Sequence, residues 1–174
     1  MTDLVFVDTN IFIYAKDDSD KEKRALAQEW LAVLWREVRG RTSLQVLNEY
    51  YAALTQKTRF RVSRDDAWGD VCELLEWKPQ ELDVDVLTQA RSLEGRFLVN
   101  WWDCLIIAAA QVQGCTLLLT EDMQDGQRFD GVIVRNPFKM GVAEAQESYE
   151  PLPRLSVRHR GRGRPRRVPR PKTG

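Results

Sequence analysis

The chain has 174 residues, 43% of them hydrophobic, with 26 Lys and Arg against 26 Asp and Glu. That is enough for one sizeable core and fits one domain with an additional tail. No apolar run approaches the roughly 20 residues needed to cross a bilayer. Asp3 stands where a secretory leader would carry basic residues, so a cytoplasmic protein without a membrane partner is expected.

The three cysteines, at 72, 104 and 115, form no CxxC pair, and the only histidine is His159. A structural zinc site needs about four soft ligands at close spacing, and these are missing. Cys104 and Cys115 lie in apolar stretches and read as buried free thiols. Any bound metal must be held by oxygen, which favours a hard cation, Mg²⁺ or Mn²⁺.

The balanced charge conceals a division. From Arg154 onward there are nine basic residues and no acid, so residues 1–153 hold 17 basic groups against 26 acidic ones. An acidic body with a basic arm is the expected organisation.

In chain order, Leu4 to Val7 is a short apolar run that ends at Asp8 and reads as a buried strand. Thr9-Asn10 opens a short helix through Tyr14. A long helix follows over 20–38, with Ala27, Trp30, Leu31, Leu34, Trp35 and Val38 at the 3.6-residue period and Gly40 as its stop. Thr42-Ser43 caps a helix over 44–57, with Gln45 completing a capping box behind Thr42. Ser63 starts another, running to about Trp77 before Pro79. Glu81 to Val84 reads as a strand and 85–96 as a helix.

Asn100 then caps a helix over 101–113 that is apolar nearly all round, from Cys104 to Val112, as a deeply packed helix is. A second buried strand covers 116–119. Residues 120–130 form a polar loop with a turn at Asp125-Gly126, and a third strand covers 132–134. The six tryptophans fall mostly at helical core spacing and are read as packing residues, Trp101 less clearly so.

Strands alternating with helices predict an α/β fold with a mostly parallel sheet. In such sheets ligands sit beyond the carboxyl ends of the strands, where Asp8 and Asp122 fall. Residues 1–140 are assigned to this domain. Residues 141–150 are polar, and 151–174 hold five prolines among Gly and Arg, so 141–174 is expected to be a linker and a disordered basic tail.

Each acid alone has an ordinary explanation: Asp8 as a helix cap, Glu49 as a solvated helix residue, Asp103 as a favourable charge in a first helical turn, Asp122 as a loop residue. Together they are harder to explain so. Two close strands, and two, Glu49 and Asp103, border apolar helix faces. Crowded carboxylates repel and take up protons unless a cation neutralises them. A divalent ion held by Asp8, Glu49, Asp103 and Asp122 can serve phosphodiester chemistry. Arg59, Arg61 and Arg64 are candidate substrate contacts near the start of the fourth helix, and the Arg-rich tail is another.

The segments Val7-Asp8-Thr9-Asn10, Asn48-Glu49, Trp102-Asp103-Cys-Leu-Ile-Ile-Ala-Ala-Ala110, Thr120-Glu121-Asp122-Met-Gln-Asp125-Gly and Asn136-Pro-Phe138 occur in that order. Over about residues 3–138 the chain resembles the PIN-domain ribonucleases, especially the VapC-type toxins of toxin–antitoxin pairs. The resemblance implies a three-layer α/β/α fold and a Mg²⁺ site from Asp8, Glu49, Asp103 and Asp122. It adds Asp125 as a further acid, with Asn10 and the Thr120 hydroxyl supporting the site. It implies RNA hydrolysis to a 3′-hydroxyl and a 5′-phosphate, a cognate antitoxin that covers the acidic groove, and a homodimer. Two other readings are a PIN nuclease that processes RNA or DNA structures without toxicity, and a non-catalytic binding module. The intact acids argue against the second.

Overall fold

The structure is a computed structural model and describes residues 3–56, 60 and 62–139. The polar linker expected at 141–150, the tail after it, and Arg59 and Arg61 lie outside the described residues.

The expected elements form with a few informative exceptions. Strand β1 is Val5–Val7, followed by helices α1 (Thr9–Tyr14) and α2 (Lys21–Arg36). After β2 (Gly40–Arg41) come α3 (Leu44–Gln56), α4 (Arg64–Leu74), α5 (Val84–Arg96) and α6 (Trp101–Val112). Strands β3 (Leu117–Leu119), β4 (Arg128–Phe129) and β5 (Val132–Arg135) close the domain. Side-chain oxygens of Asp8, Asp20, Ser63, Asp83 and Asn100 each accept a backbone N–H of the helix that follows, satisfying donors that a helix start leaves open.

The five strands run in the order β2-β1-β3-β5-β4, all parallel except β4, which pairs antiparallel with β5. Parallel pairing requires crossovers, and these are right-handed. The connection leaving β1 turns toward β2, whereas the one leaving β3 turns toward β5. Helices α1 and α2 therefore cover one face, and α6, which arrives from β2 over β1, covers the other. That is the three-layer arrangement. It also makes the carboxyl ends of β1 and β3 a switch point, where the outgoing chains part and leave a crevice.

Helix α6 is the central support of the core: Cys104 to Ala110 are all buried. It packs on β3, β5 and α5, which explains an apolar surface on every side. Among the described residues no helix is long and apolar enough to cross a membrane.

The departures have local causes. Helix α2 ends through Val38, which takes a left-handed φ of 57°, and Gly40 enters β2. A Cβ at Gly40 would lie 2.5 Å from three ring atoms of the buried Trp77. The glycine is there for close approach and not as a helix stop. The capping box of Thr42 and Gln45 does not form. Ser43 Oγ accepts from Val46 N at 3.3 Å, and Thr42 Oγ1 donates to the Val7 carbonyl at 3.2 Å.

Helix α4 tightens into a 3₁₀ turn over Leu75–Trp77 and stops at Lys78, with φ 53°. The strand expected at Glu81 to Val84 is absent. The only pairing there is a single bridge of Gln80 to Ser43, because Asp83 captures Val86 N and starts α5 at once. The loop expected over 120–130 contains β4. Of the six tryptophans, Trp30 and Trp77 are buried and Trp101 lies against the core, whereas Trp35, Trp68 and Trp102 are exposed, Trp35 with its ring still on Trp77 and Trp68 with its ring on Tyr51.

Gly40→Ala should destabilise the protein by about 1–3 kcal/mol, since the added methyl must displace a packed indole. Urea denaturation at constant slope reads this. Relieving the left-handed conformation by Val38→Gly should act in the opposite direction by about 1 kcal/mol.

Candidate active site

The register of β1 on β3 pairs Val7 with Leu119, so Asp8 and Thr120 come next to each other at the strand ends. The pairing is continued by Asp8 N donating to the Leu119 carbonyl at 3.1 Å. Thr120 Oγ1 donates to Asp8 Oδ2 at 2.8 Å, and Thr9 N donates to Oδ1 at 2.7 Å. Asp8 is 8% exposed and Thr120 fully buried.

Asn10 binds the two strand ends together. Its amide nitrogen lies 2.9 Å from Thr120 Oγ1, 2.9 Å from Asp122 Oδ2 and 3.3 Å from Asp8 Oδ2. Its carbonyl oxygen accepts from Glu121 N at 3.4 Å. The role expected for Asn10 and Thr120 thus has a geometric basis, since both hold carboxylates and the loop that carries Asp122.

Glu49 projects from the middle of α3. Both of its oxygens accept hydrogen bonds, one from Thr9 Oγ1 at 2.7 Å and one from Gln45 Nε2 at 3.1 Å. These two supports are absent from the sequence reading. Gln45 was legible as an i, i+4 partner of Glu49. Thr9 was not, because 40 residues separate it from Glu49. Asp103 sits in the first turn of α6, where its N donates to Asn100 Oδ1 at 3.0 Å and Asn100 Nδ2 donates to its Oδ2. One cap residue therefore starts the helix and aims its acid.

The charges of the four acids interact. Burial pushes the Asp8 carboxyl up to about 6, and repulsion from Asp122 and Glu49 adds to it, against the opposing bonds from Thr120 and Thr9. Burial likewise raises Asp103, with repulsion again from Asp122 and Glu49, while the Asn100 bond opposes. Asp8 and Asp103 are 95 residues apart in the chain yet face the same two negative neighbours.

In the loop, Asp125 has a partner of its own. Its Oδ1 accepts from Asn136 N at 2.8 Å and ties the loop to the end of β5. Glu121 also points elsewhere, accepting from Lys23 Nζ at 2.6 Å and from the Tyr14 hydroxyl. Arg64 is exposed at the start of α4.

The donor set suits a hard divalent cation. Among the described residues the cluster offers only carboxylate, hydroxyl and amide oxygens, and the Cys115 thiol is held protonated by burial, its pKa pushed up to about 12. No three His, Cys, Asp or Glu side chains among the described residues stand in ready ligating geometry.

Carboxylates gathered at the switch point of an α/β/α domain lie where such folds place a ligand site. A family model of the PIN domain matches residues 5–128, and the chain belongs to the PIN domain family. Among solved structures it is similar to a chain of a toxin–antitoxin complex from Klebsiella pneumoniae, with a TM-score of 0.56 and 19% identity over 76% of this chain and 97% of that one. It is also similar to a chain of VapBC2 from Rickettsia felis bound to a promoter DNA fragment, with a TM-score of 0.53 and 16% identity over 76% and 98%. At these identities the likeness is one of fold. A search of curated proteins finds no match.

The raised Asp8 carboxyl has a measurable consequence. The unfolded group ionises near 3.8 and the folded one near 6, so the native state binds more protons between these values. Metal-free stability should therefore fall as pH rises from about 4 to about 6.5 and then level off, by up to about 3 kcal/mol from this group. Asp8→Asn should flatten that slope and raise the metal-free Tm at pH 7.5, as differential scanning calorimetry would show.

Proposed function

We propose that the protein is a Mg²⁺-dependent endoribonuclease, with Mn²⁺ able to substitute, and the toxin of a toxin–antitoxin pair. The observation that carries the nuclease reading is the convergence of Asp8, Glu49, Asp103 and Asp122 at the β1–β3 switch point, where among the described residues the charges acting on Asp8 and Asp103 are those of Asp122 and Glu49. The PIN family assignment supports it. The toxin reading draws on the fold shared with chains of toxin–antitoxin complexes, and brings with it a cognate antitoxin, a homodimer and a cytoplasmic setting.

In this reading Asp8, Asp103 and Asp122 hold the cation, and Glu49 completes the set directly or through water. When bound, the cation polarises a phosphoryl oxygen and offsets charge on the attacking and leaving oxygens. The chain's own part is preorganisation. Thr120, Thr9 and Asn10 keep Asp8 and Asp122 from turning apart, and Thr9 with Gln45 fixes Glu49. Asn100 donates to Asp103 Oδ2 and orients that carboxylate, leaving Oδ1 for the cation. No imidazole stands among the described residues to act as base, so a carboxylate takes that role.

Purified protein with Mg²⁺ should cleave RNA and leave 5′-phosphates. Asp8→Asn and Asp103→Asn should each lower kcat/KM on the order of 100-fold or more, and excess EDTA should abolish cleavage. Undiminished cleavage in either variant or in EDTA would overturn the mechanism. Induction in a bacterial host separates the biological roles: growth arrest that Asp103→Asn relieves supports the toxin, and normal growth with RNA cleavage intact supports an RNA-processing nuclease. Thr9→Val should lower activity less, about 10-fold, through a loosened Glu49.

A further inference from the structure

Three of the four acids are carried by regular structure. Asp8 directly follows β1 and caps α1, Glu49 lies within α3, and Asp103 is in the first turn of α6. Asp122 is exposed and lies in a loop, three residues beyond the end of β3. Neither a helix nor a strand ladder fixes its backbone, so its position depends on side chains that tie the loop down. A site built with its ligands displaced by about 1 Å loses much of its function, so the loop acid is where preorganisation is hardest to secure.

Asn10 supplies one set of ties. A second set reaches the loop from outside, through Glu121, the residue before Asp122. Lys23 Nζ, in the first turn of α2, donates to Glu121 Oε2 at 2.6 Å, and the Tyr14 hydroxyl donates to Oε1, so both oxygens of the carboxylate are held. Lys23 also donates to the Tyr14 oxygen at 3.1 Å, and its ammonium stands 4.4 Å from the centre of the Tyr14 ring and 5.1 Å from that of Phe138. Phe138 packs edge-on against Tyr14 with ring centroids 5.0 Å apart. Asn10 and Tyr14 are one turn apart on α1 and share a face. One short helix thus holds two consecutive loop residues, Asp122 by its carboxylate and Glu121 by both its N–H and its carboxylate. An ion pair as exposed as this one, 31% for Lys23 and 20% for Glu121, adds little to stability. As a tether it acts on the acid that has no element of its own.

We propose that Lys23 and Tyr14 are positioning residues which, through Glu121, hold Asp122 where it meets the cation. The clamp rests on the nuclease reading for the ion it serves. It adds the means by which the loop acid is kept in place.

The test uses the full chain, with Mn²⁺ alone as the probe and no RNA present. Binding is followed by the loss of the electron paramagnetic resonance signal of free Mn²⁺. Tyr14→Phe removes one hydroxyl, changes no charge and keeps the ring on Phe138. Lys23→Met combined with Glu121→Gln removes the ion pair at unchanged net charge. Kd for Mn²⁺ should rise about 3- to 10-fold in each, less than the loss typical for a direct hydrogen-bond partner of a ligand. Lys23→Arg keeps the charge and the donors and should restore affinity close to that of the wild type. Without metal, amide exchange at Glu121 and Asp122 should speed up about tenfold in Tyr14→Phe while Leu118 in β3 holds. At limiting Mg²⁺ both variants should cleave RNA more slowly, and excess Mg²⁺ should restore the rate with KM for RNA unchanged.

Mn²⁺ affinity equal to wild type in both variants overturns the proposal, whatever happens to Tm. So does a raised KM for RNA with unchanged Mn²⁺ affinity, the result expected if Lys23 meets a phosphate. A wild-type protein that binds no Mn²⁺ sinks the metal-dependent nuclease instead. Exchange at Glu121 and Asp122 then decides the clamp by itself, which stands if Tyr14→Phe speeds it and falls if it does not.

Discussion

The hydrogen bond from Thr120 to Asp8 is where strand pairing becomes chemistry. Three ladder positions, Val5 with Leu117 through Val7 with Leu119, determine which side chains meet when the pairing ends. A slip of one residue would turn both side chains to the opposite face, bury a different pair and separate the two acids. The register is held because Val5, Phe6, Val7, Leu118 and Leu119 are fully buried between helix layers, so a shifted pairing has no apolar volume to fill. The site inherits its geometry from the core beneath it.

Above that bond the difficulty is electrostatic. Ionised carboxylates gathered in a partly dry crevice destabilise the fold that gathers them, which is why Asp8 holds its proton to about 6. The chain meets this with neutral donors and not with opposite charge. Thr9, Asn10, Gln45, Asn100 and Thr120 each give a hydrogen bond to an acid without cancelling its charge. Lys23, the nearby cation, is taken up by Glu121 and Tyr14. Aimed but uncompensated acids suit a site that must accept a cation reversibly, whereas a structural ion pair would fill it.

The PIN family assignment and the geometry bear on different matters. Shared fold with a chain of a toxin–antitoxin complex and a chain of VapBC2 at 16–19% identity describes the scaffold, and a scaffold hosts many functions. The nuclease reading stands on the acids and their supports, which belong to this chain's own residues. The toxin role is a separate question, because nothing in a carboxylate cluster distinguishes an RNA whose loss stops growth from one that is merely trimmed.

Much of this was legible in the linear chain. The α/β class, the deep burial of the helix after Asn100 and the candidacy of Asp8, Glu49, Asp103 and Asp122 follow from hydrophobic period, capping residues and strand ends, all of which are short-range properties. The misreadings share a long-range cause. Gly40 looked like a helix stop because Trp77, which needs its missing side chain, is 37 residues away. Gln45 looked like part of a capping box because Thr42 looked like the cap, whereas its hydroxyl goes to the Val7 carbonyl, 35 residues away. Trp102 looked like core, yet it is 65% exposed because α6 turns that edge outward at its first turn.

The sequence alone determined which acids are present, that no soft ligand accompanies them, and that charge is divided between body and tail, because composition and local period survive without a fold. Only the tertiary structure decided that Asp125 ties its loop to the end of β5, and that Thr9 holds Glu49. It also showed that Asp8 and Asp103 share the same two negative neighbours. Those outcomes depend on pairing residues far apart in the chain, and no local pattern encodes that distance.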